Sequence, residues 1–438
     1  MNIYIETVGC PKNINDSETA AGILLSAGHK IKGEIAGADA VIINTCGFID
    51  DAKKESIDKI FELARAKDDN ALLIVSGCLP ERYGDKIYKQ IPEADIVIGV
   101  NDYANLPGII ANYKGRREKF FSKCGGGYPE APERYIAPGA YSATLKIAEG
   151  CDNVCSYCVI PSIRGKYRSR EKAHIIDEAA RLALNGCKEL LIVAQDVTAY
   201  GIDIYGKPTL PELLSELCKI EGVFWIRLMY CYEDRITGEL IETMRREEKI
   251  CKYIDMPVQH CSDKILKAMN RRSTGESIRS TVKKLRQAIP DIHIRSTLIT
   301  GFPGEGACDF NELLEFVRDM RFERLGVFAY SKEEGTPAAM MKGQVKKSVK
   351  EARRDAVMRS QLEISSGLNR EKTGGVFEVL VEGEDEEGVY YGRSRYDAPE
   401  IDNAVLFTSE RKRRPGDIVR VEITDAFDYD LVGREVVV

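Results

Sequence analysis

The sequence predicts an α/β protein in three parts: an N-terminal open parallel-sheet domain, a partial (β/α)6 barrel and a small C-terminal all-β domain. Three observations predict it. Short Ile- and Val-rich runs alternate with amphipathic segments through most of the chain, as buried parallel strands alternate with covering helices. A Gly- and Pro-dense stretch breaks that alternation at 124–140, and after residue 371 the pattern changes to short alternating strands separated by turn residues. At 438 residues the chain also exceeds what one hydrophobic core normally serves.

Taken in order, 2–9 (NIYIETVG), 39–45 (DAVIINT), 71–77 (ALLIVSG) and 95–100 (DIVIGV) read as parallel strands, with helices at 16–28 and 50–66. Together they make an open α/β domain over 1–123. Beyond the linker at 124–140, candidate strands at 143–148, 189–194, 224–229, 252–256, 292–299 and 324–330 supply six β/α units over 141–344. Such an incomplete barrel carries its site at the C-terminal strand ends. A charged helical connector over 345–370 leads to strands at 376–381, 388–391 and 418–424, a β domain spanning 371–438.

Composition excludes several classes. No stretch approaches the roughly 20 apolar residues that span a bilayer, and the start MNIYIETVGC lacks the basic and apolar regions of a signal peptide. A cytoplasmic protein with no membrane contact is expected. Thirteen cysteines then suit metal ligation better than a disulfide framework, because that compartment keeps thiols reduced. The net charge of -6 and pI near 5.6 argue against a surface that grips nucleic acid throughout.

The strongest chemical signal is CDNVCSYC at 151–158, directly after a candidate strand. Three thiolates spaced CxxxCxxC can hold three irons of a cubic iron–sulfur cluster and leave the fourth open for a substrate or cofactor. A zinc site and unrelated buried thiols are the alternatives, and both leave the strand and the barrel pattern unexplained. A second constellation is less local. Cys10, Cys46 and Cys78 each fall at the C-terminal end of a separate candidate strand, in TVGC, NTCG and SGC, and in an open parallel sheet those ends share one rim. Three buried cysteines placed there by chance would give the same pattern.

With its CxxxCxxC after the first barrel strand, the chain resembles the radical S-adenosylmethionine superfamily. That resemblance implies a 4Fe-4S cluster on Cys151, Cys155 and Cys158 whose open iron chelates S-adenosylmethionine, with the aromatic Tyr157 against the adenine. It further implies one-electron cleavage to a 5'-deoxyadenosyl radical that abstracts hydrogen from an unactivated carbon. Joined to the N-terminal triad and the C-terminal β domain, the likeness extends to the methylthiotransferases across essentially the whole chain. It implies a second 4Fe-4S cluster on Cys10, Cys46 and Cys78, where the sulfur to be inserted is methylated, and a TRAM-like C-terminal module. GCPKNINDSE (9–18), AEGCDNVCSYCVIPSIRG (148–165), VAQDVTAYG (193–201), YIDMPVQHCSDKILKAMNR (253–271), GFPGE (301–305) and YDAPEID (396–402) look like the RimO branch. That branch modifies the β-carbon of an aspartate in the twelfth protein of the small ribosomal subunit. The transfer RNA branch, MiaB-like, typically has Gln-Met after its first cysteine where this chain has Pro11 and Lys12, so transfer RNA is the secondary expectation.

The same resemblance implies that Gln195, Asp196 and Arg295 contact S-adenosylmethionine; polar residues at strand ends equally serve as partners for neighbouring loops. It also implies an external electron donor, a sulfur donor, and a ribosomal protein met free or within the ribosomal particle. His260, beside Gln259, reads first as a structural histidine and second as a ligand. After GFPGE the usual Thr or Ser is replaced by Gly306, which puts a helix-cap hydroxyl in doubt. From 371 to 438 there are 17 acidic residues against 9 basic, a net of -8 that leaves +2 on the rest. EGEDEEG at 382–388 reads as an exposed hairpin turn. It and the acids Asp397, Glu400 and Asp402 are the expected docking faces for a basic ribosomal protein. RKRR at 411–414 reads as a solvated turn or an RNA contact.

Overall fold

The computed structural model describes residues 1–122 and 134–436, so most of the expected linker, with Cys124, lies outside the described residues. The chain forms two compact units. The first contains Met1–Ala137, Ala148–Arg170 and Glu333–Thr336; the second contains Pro138–Ile147, Glu171–Lys332 and Pro337–Val438.

In the first unit, strands β1 (Asn2–Thr7), β2 (Lys30–Lys32), β3 (Ala40–Thr45), β4 (Leu72–Gly77), β5 (Ile96–Ile98) and β6 (Glu118–Phe120) make one parallel sheet in the order β2-β1-β3-β4-β5-β6. Every residue of β3 is buried, because both faces of the sheet are covered by apolar clusters, one holding Ile42 and Ile74 and the other Val41 and Val75. The helix Asp50–Ala66 forms as expected: Ser56, Ile60 and Leu63 share its buried face, and Asp50 and Asp51 at its start with Arg65 at its end complement its dipole. The first helix starts at Pro11, five residues before the expected start, because extended Cys10 occupies its N-cap and Pro11 suits the first helical position.

Strand β7 (Ser142–Lys146) belongs to the second unit, but Ala148–Arg170 belongs to the first. The segment Ala148–Arg170, with its two-stranded ribbon β8 (Ala148–Glu149) and β9 (Arg168–Ser169), packs with the N-terminal sheet. Val159 and Ile163 join the apolar cluster of Ile3, Leu24 and Ile74. The segment that carries the CxxxCxxC loop therefore shares an apolar core with Cys78.

The second unit continues with β10 (Glu189–Val193), β11 (Trp225–Leu228), β12 (Ile250–Asp255), β13 (His293–Thr300) and β14 (Arg324–Ala329). These pair in parallel in chain order from β7 to β14, the open six-stranded barrel that the six β/α units predict. The helix Lys347–Arg370 is more than a connector, since it packs on β13, β14 and the helix Ala307–Met320 as part of the barrel wall. That last helix begins at Gly306 without a hydroxyl cap; the Asp309 carboxylate instead accepts from Gly306 N at 2.8 Å.

Strands β15 (Val376–Glu384), β16 (Tyr390–Ser394), β17 (Val405–Thr408), β18 (Ile418–Ala426) and β19 (Leu431–Glu435) close a small barrel in the order β15-β16-β17-β19-β18 around Val379, Phe407, Val421 and Ile423. The acidic run makes the expected exposed turn, with Asp385 accepting from Glu387 N and Val389 N at 2.9 Å. The second acidic group is not a docking face. Asp397 is buried against Arg324 and Ser394, and Asp402 accepts from Tyr253 Oη at 2.7 Å and from Ala398 N at 2.9 Å. These carboxylates are consumed by partners inside the second unit, and only Glu400 of that group is exposed.

Candidate functional site

Register brings the first three cysteines together. Thr45 pairs with Gly77, so Cys46 and Cys78 leave adjacent strands side by side, and Thr7 pairs with Asn44, which delivers Cys10 to the same rim. Glycines permit the approach. A Cβ on Gly9 would stand 2.9 Å from Cys46 Cβ, one on Gly47 would stand 2.8 Å from the Cys78 carbonyl oxygen, and one on Gly77 would stand 2.6 Å from Thr45 N. Gly9 and Gly77 also hold positive φ, at 119° and 102°.

Polar side chains secure the rim. Ser56 clamps Cys46, donating to its carbonyl and accepting from its N–H, each at 3.0 Å. Asn13 donates to Val8 O and Thr45 O at 3.0 and 3.2 Å, while its Oδ1 accepts from the thiols of Cys10 at 3.7 Å and Cys78 at 3.9 Å. Buried Arg164 donates to Cys78 Sγ at 3.0 Å and to Asn13 Oδ1 at 3.2 Å, and pairs with Asp16 at 2.6 Å and Glu149 at 3.4 Å. Burial pushes the Cys78 thiol up to about 12, against the nearby Arg164 charge, and burial likewise raises Cys46. Such thiols are protonated until a metal displaces the protons.

The second triad is held by its own loop. Cys151 N donates to Gly165 O at 3.1 Å, Cys158 N to Cys155 O at 3.1 Å, and Ile160 N to Cys158 Sγ at 3.4 Å. Asn153 Nδ2 lies 3.5 Å from Cys151 Sγ. Local desolvation pushes the Cys158 thiol up to about 12; the Ile160 N–H and Lys12 oppose that, and Cys155 and Cys151 add to it. Each triad thus offers three soft donors from one compact unit, the donor set that suits an iron–sulfur cubane. Among the described residues no three His, Cys, Asp or Glu side chains close on a single-ion site. Tyr157 is half-buried in the same loop.

The remaining expected contacts lie in the second unit. Gln195 and Asp196 follow the end of β10, where buried Asp196 accepts from Thr198 Oγ1 at 2.6 Å and pairs with Arg235. Arg295, third residue of β13, has its Nε 3.5 Å from Asp402 Oδ1. His260 is fully buried, with Nδ1 accepting from Ser262 N at 3.0 Å and Nε2 3.6 Å from Glu305, the geometry of a structural histidine. Sequence reasoning left Asn13 and Arg164 without a role. Both stand in the family-like segments GCPKNINDSE and AEGCDNVCSYCVIPSIRG, and nothing local in the sequence marks the role of either.

Residues 2–99 match the Uncharacterized protein family UPF0004, 145–317 the Radical SAM superfamily, and 373–436 the TRAM domain. Two solved structures share the fold: the radical S-adenosylmethionine methyltransferase TsrM from Kitasatospora setae and the cobalamin-dependent S-adenosylmethionine radical enzyme OxsB. TsrM has a TM-score of 0.58 at 14% identity, over 77% of this chain and 74% of that one. OxsB has a TM-score of 0.55 at 13% identity, over 83% and 56%. Fold and matched regions together define a three-part radical S-adenosylmethionine protein.

Closer relatives narrow the class. The protein named ribosomal protein uS12 methylthiotransferase RimO from Clostridioides difficile is 46% identical over 436 residues, 99% of this chain and 98% of the relative. Those from Acetivibrio thermocellus and Thermoanaerobacter sp. are 47% and 48% identical, covering 98% and 99% of this chain and 97% and 99% of the relatives. The chain belongs to the RimO family of methylthiotransferases.

Proposed function

We propose that this chain inserts a methylthio group at the β-carbon of an aspartate in ribosomal protein uS12, with S-adenosyl-L-methionine as source of both the methyl group and the radical. The near full-length likeness to uS12 methylthiotransferases carries this reading. Cys151, Cys155 and Cys158 hold the 4Fe-4S cluster that meets S-adenosylmethionine; Cys10, Cys46 and Cys78 hold a second. When bound, the clusters supply the electron for reductive cleavage and an open iron for the sulfur to be transferred.

The chain's own groups set the geometry. Gly9, Gly47 and Gly77 let the three strand ends close, Ser56 and Asn13 hold the backbone that carries the cysteines in register, and Tyr157 would lie against the adenine. Gln195, Asp196 and Arg295 orient the remainder of S-adenosylmethionine. The reaction draws on an electron donor and a sulfur donor outside this chain, and takes place in the cytoplasm; among the described residues no helix is long and apolar enough to cross a membrane. Mass spectrometry of ribosomal proteins and transfer RNA from cells with and without this chain tests the proposal. One methylthio group on the uS12 aspartate, present only with the chain, is expected; a methylthio group gained on transfer RNA instead would overturn it.

A further inference from the structure

One peptide touches both triads. Gly165 O accepts from Cys151 N at 3.1 Å, and the preceding side chain, Arg164, donates to Cys78 Sγ at 3.0 Å. Arg164 is 3% exposed, and a guanidinium so buried needs strong compensation. Asp16 and Glu149 supply it, and they also aim the fork: Nη1 takes the two carboxylates, leaving Nη2 for Cys78 Sγ and Asn13 Oδ1.

Ligation changes the needs of this cluster of groups. As thiols, Cys10 and Cys78 donate to Asn13 Oδ1, but as iron-bound thiolates they become acceptors only. Asn13 cannot then serve them, since its Nδ2 is spent on Val8 O and Thr45 O. Arg164 can, as a charged N–H donor already in place. Donors and positive charge at cluster sulfurs stabilise the reduced, more negative state and raise the reduction potential.

We propose that Arg164 is a positioning residue for the Cys10, Cys46 and Cys78 cluster: its N–H···S bond raises that cluster's reduction potential, and its place beside Gly165 ties the cluster to the loop of the other triad. This rests on the proposed cluster assignment.

The test uses the full chain with Cys151, Cys155 and Cys158 all changed to Ala, reconstituted anaerobically so that only the N-terminal cluster remains, and titrated by EPR at controlled potential. Arg164→Gln should shift the midpoint to more negative potential, with Arg164→Lys between it and the parent. Gln removes the cation that both Asp16 and Glu149 face, so the pair Asp16→Asn with Arg164→Gln takes away the nearer carboxylate, at 2.6 Å, together with it; it should hold iron, regain part of the melting temperature lost by Arg164→Gln alone, and keep the negative shift. Unchanged midpoints in variants that hold iron would overturn the proposal. So would loss of iron in the double variant accompanied by unfolding, which assigns Arg164 to folding alone. A parent with no iron would instead sink the cluster assignment.

Discussion

Gly47 stands so close to Cys78 that a Cβ on it would lie 2.8 Å from the Cys78 carbonyl oxygen and 2.9 Å from Leu79 Cα. The obstacle is backbone, which cannot swing aside as a side-chain tip can. Gly47→Ala should therefore spread the turns that carry Cys46 and Cys78. The expected outcome is loss of the N-terminal cluster, about half the iron, with a stability cost of roughly 1–3 kcal/mol as for other overpacked sites. Iron analysis and thermal melts of the reconstituted variant check it.

The two triads take their thiols from separate loops, so each cluster should assemble without the other. Replacing Cys151, Cys155 and Cys158 together by Ala should leave about half the iron of the parent. Mössbauer spectra with every cluster gone, or with none lost, would contradict independent sites.

Function should divide in the same way. With Cys10, Cys46 and Cys78 changed to Ala, methylthio insertion should stop while reductive cleavage continues. Chromatographic detection of 5'-deoxyadenosine in the reduced variant checks this; its absence from a folded variant that keeps the other cluster would reverse the assignment.

Strands β3 and β4 were legible in the sequence because burial on both faces leaves near-continuous apolar runs. Edge strands β2 and β6 read KIK and EKF, and such short polar stretches take their order from one neighbouring strand's backbone. Convergence of Cys10, Cys46 and Cys78 was legible because strand ends of a parallel sheet share a rim. Arg164 was not, since its partners Cys78 and Asp16 lie 86 and 148 residues away. For the same reason Asp397 and Asp402 read as surface acids: nothing local announces Arg324 or Tyr253.

Glu189 is fully buried between Arg227, at 2.8 Å, and Arg393, at 2.7 Å, all in the second unit. Burial alone would raise its carboxyl; the charges of Arg393 and Arg227 outweigh that and hold it at about 2. A folded-state value below the unfolded one contributes stability that is present above about 4.5 and lost as pH falls from there toward 2. Asp397, held at about 2 beside Arg324, adds to the same acid limb. Thermal melts between pH 6 and pH 2 should fall steeply over that window. Glu189→Gln, which leaves buried Arg227 without its carboxylate and Arg393 with Glu382 alone, should be destabilised by about 3–5 kcal/mol at neutral pH and show a shallower acid loss.

Partner choice rests on the one acidic group that remains free to act. Asp397 and Asp402 are consumed inside the second unit, but Glu384, Asp385, Glu386 and Glu387 are exposed at the β15–β16 turn, in a region of net charge -8. A basic ribosomal protein would be drawn to that tip. Exposed charges act mainly on encounter rate and specificity, and salt screens them within about 8 Å at physiological ionic strength. Reversing Glu384, Glu386 and Glu387 to Lys should therefore weaken binding of isolated uS12 at low salt, by roughly 10-fold if the association rate carries the effect, and much less at high salt. Asp385 is left in place because its carboxylate builds the turn. Reductive cleavage of S-adenosylmethionine should be untouched, since the tip holds none of the residues assigned to it. Binding that is equal in parent and variant, with no salt dependence in either, would show that the tip is only a solvated turn and that uS12 is recognised elsewhere.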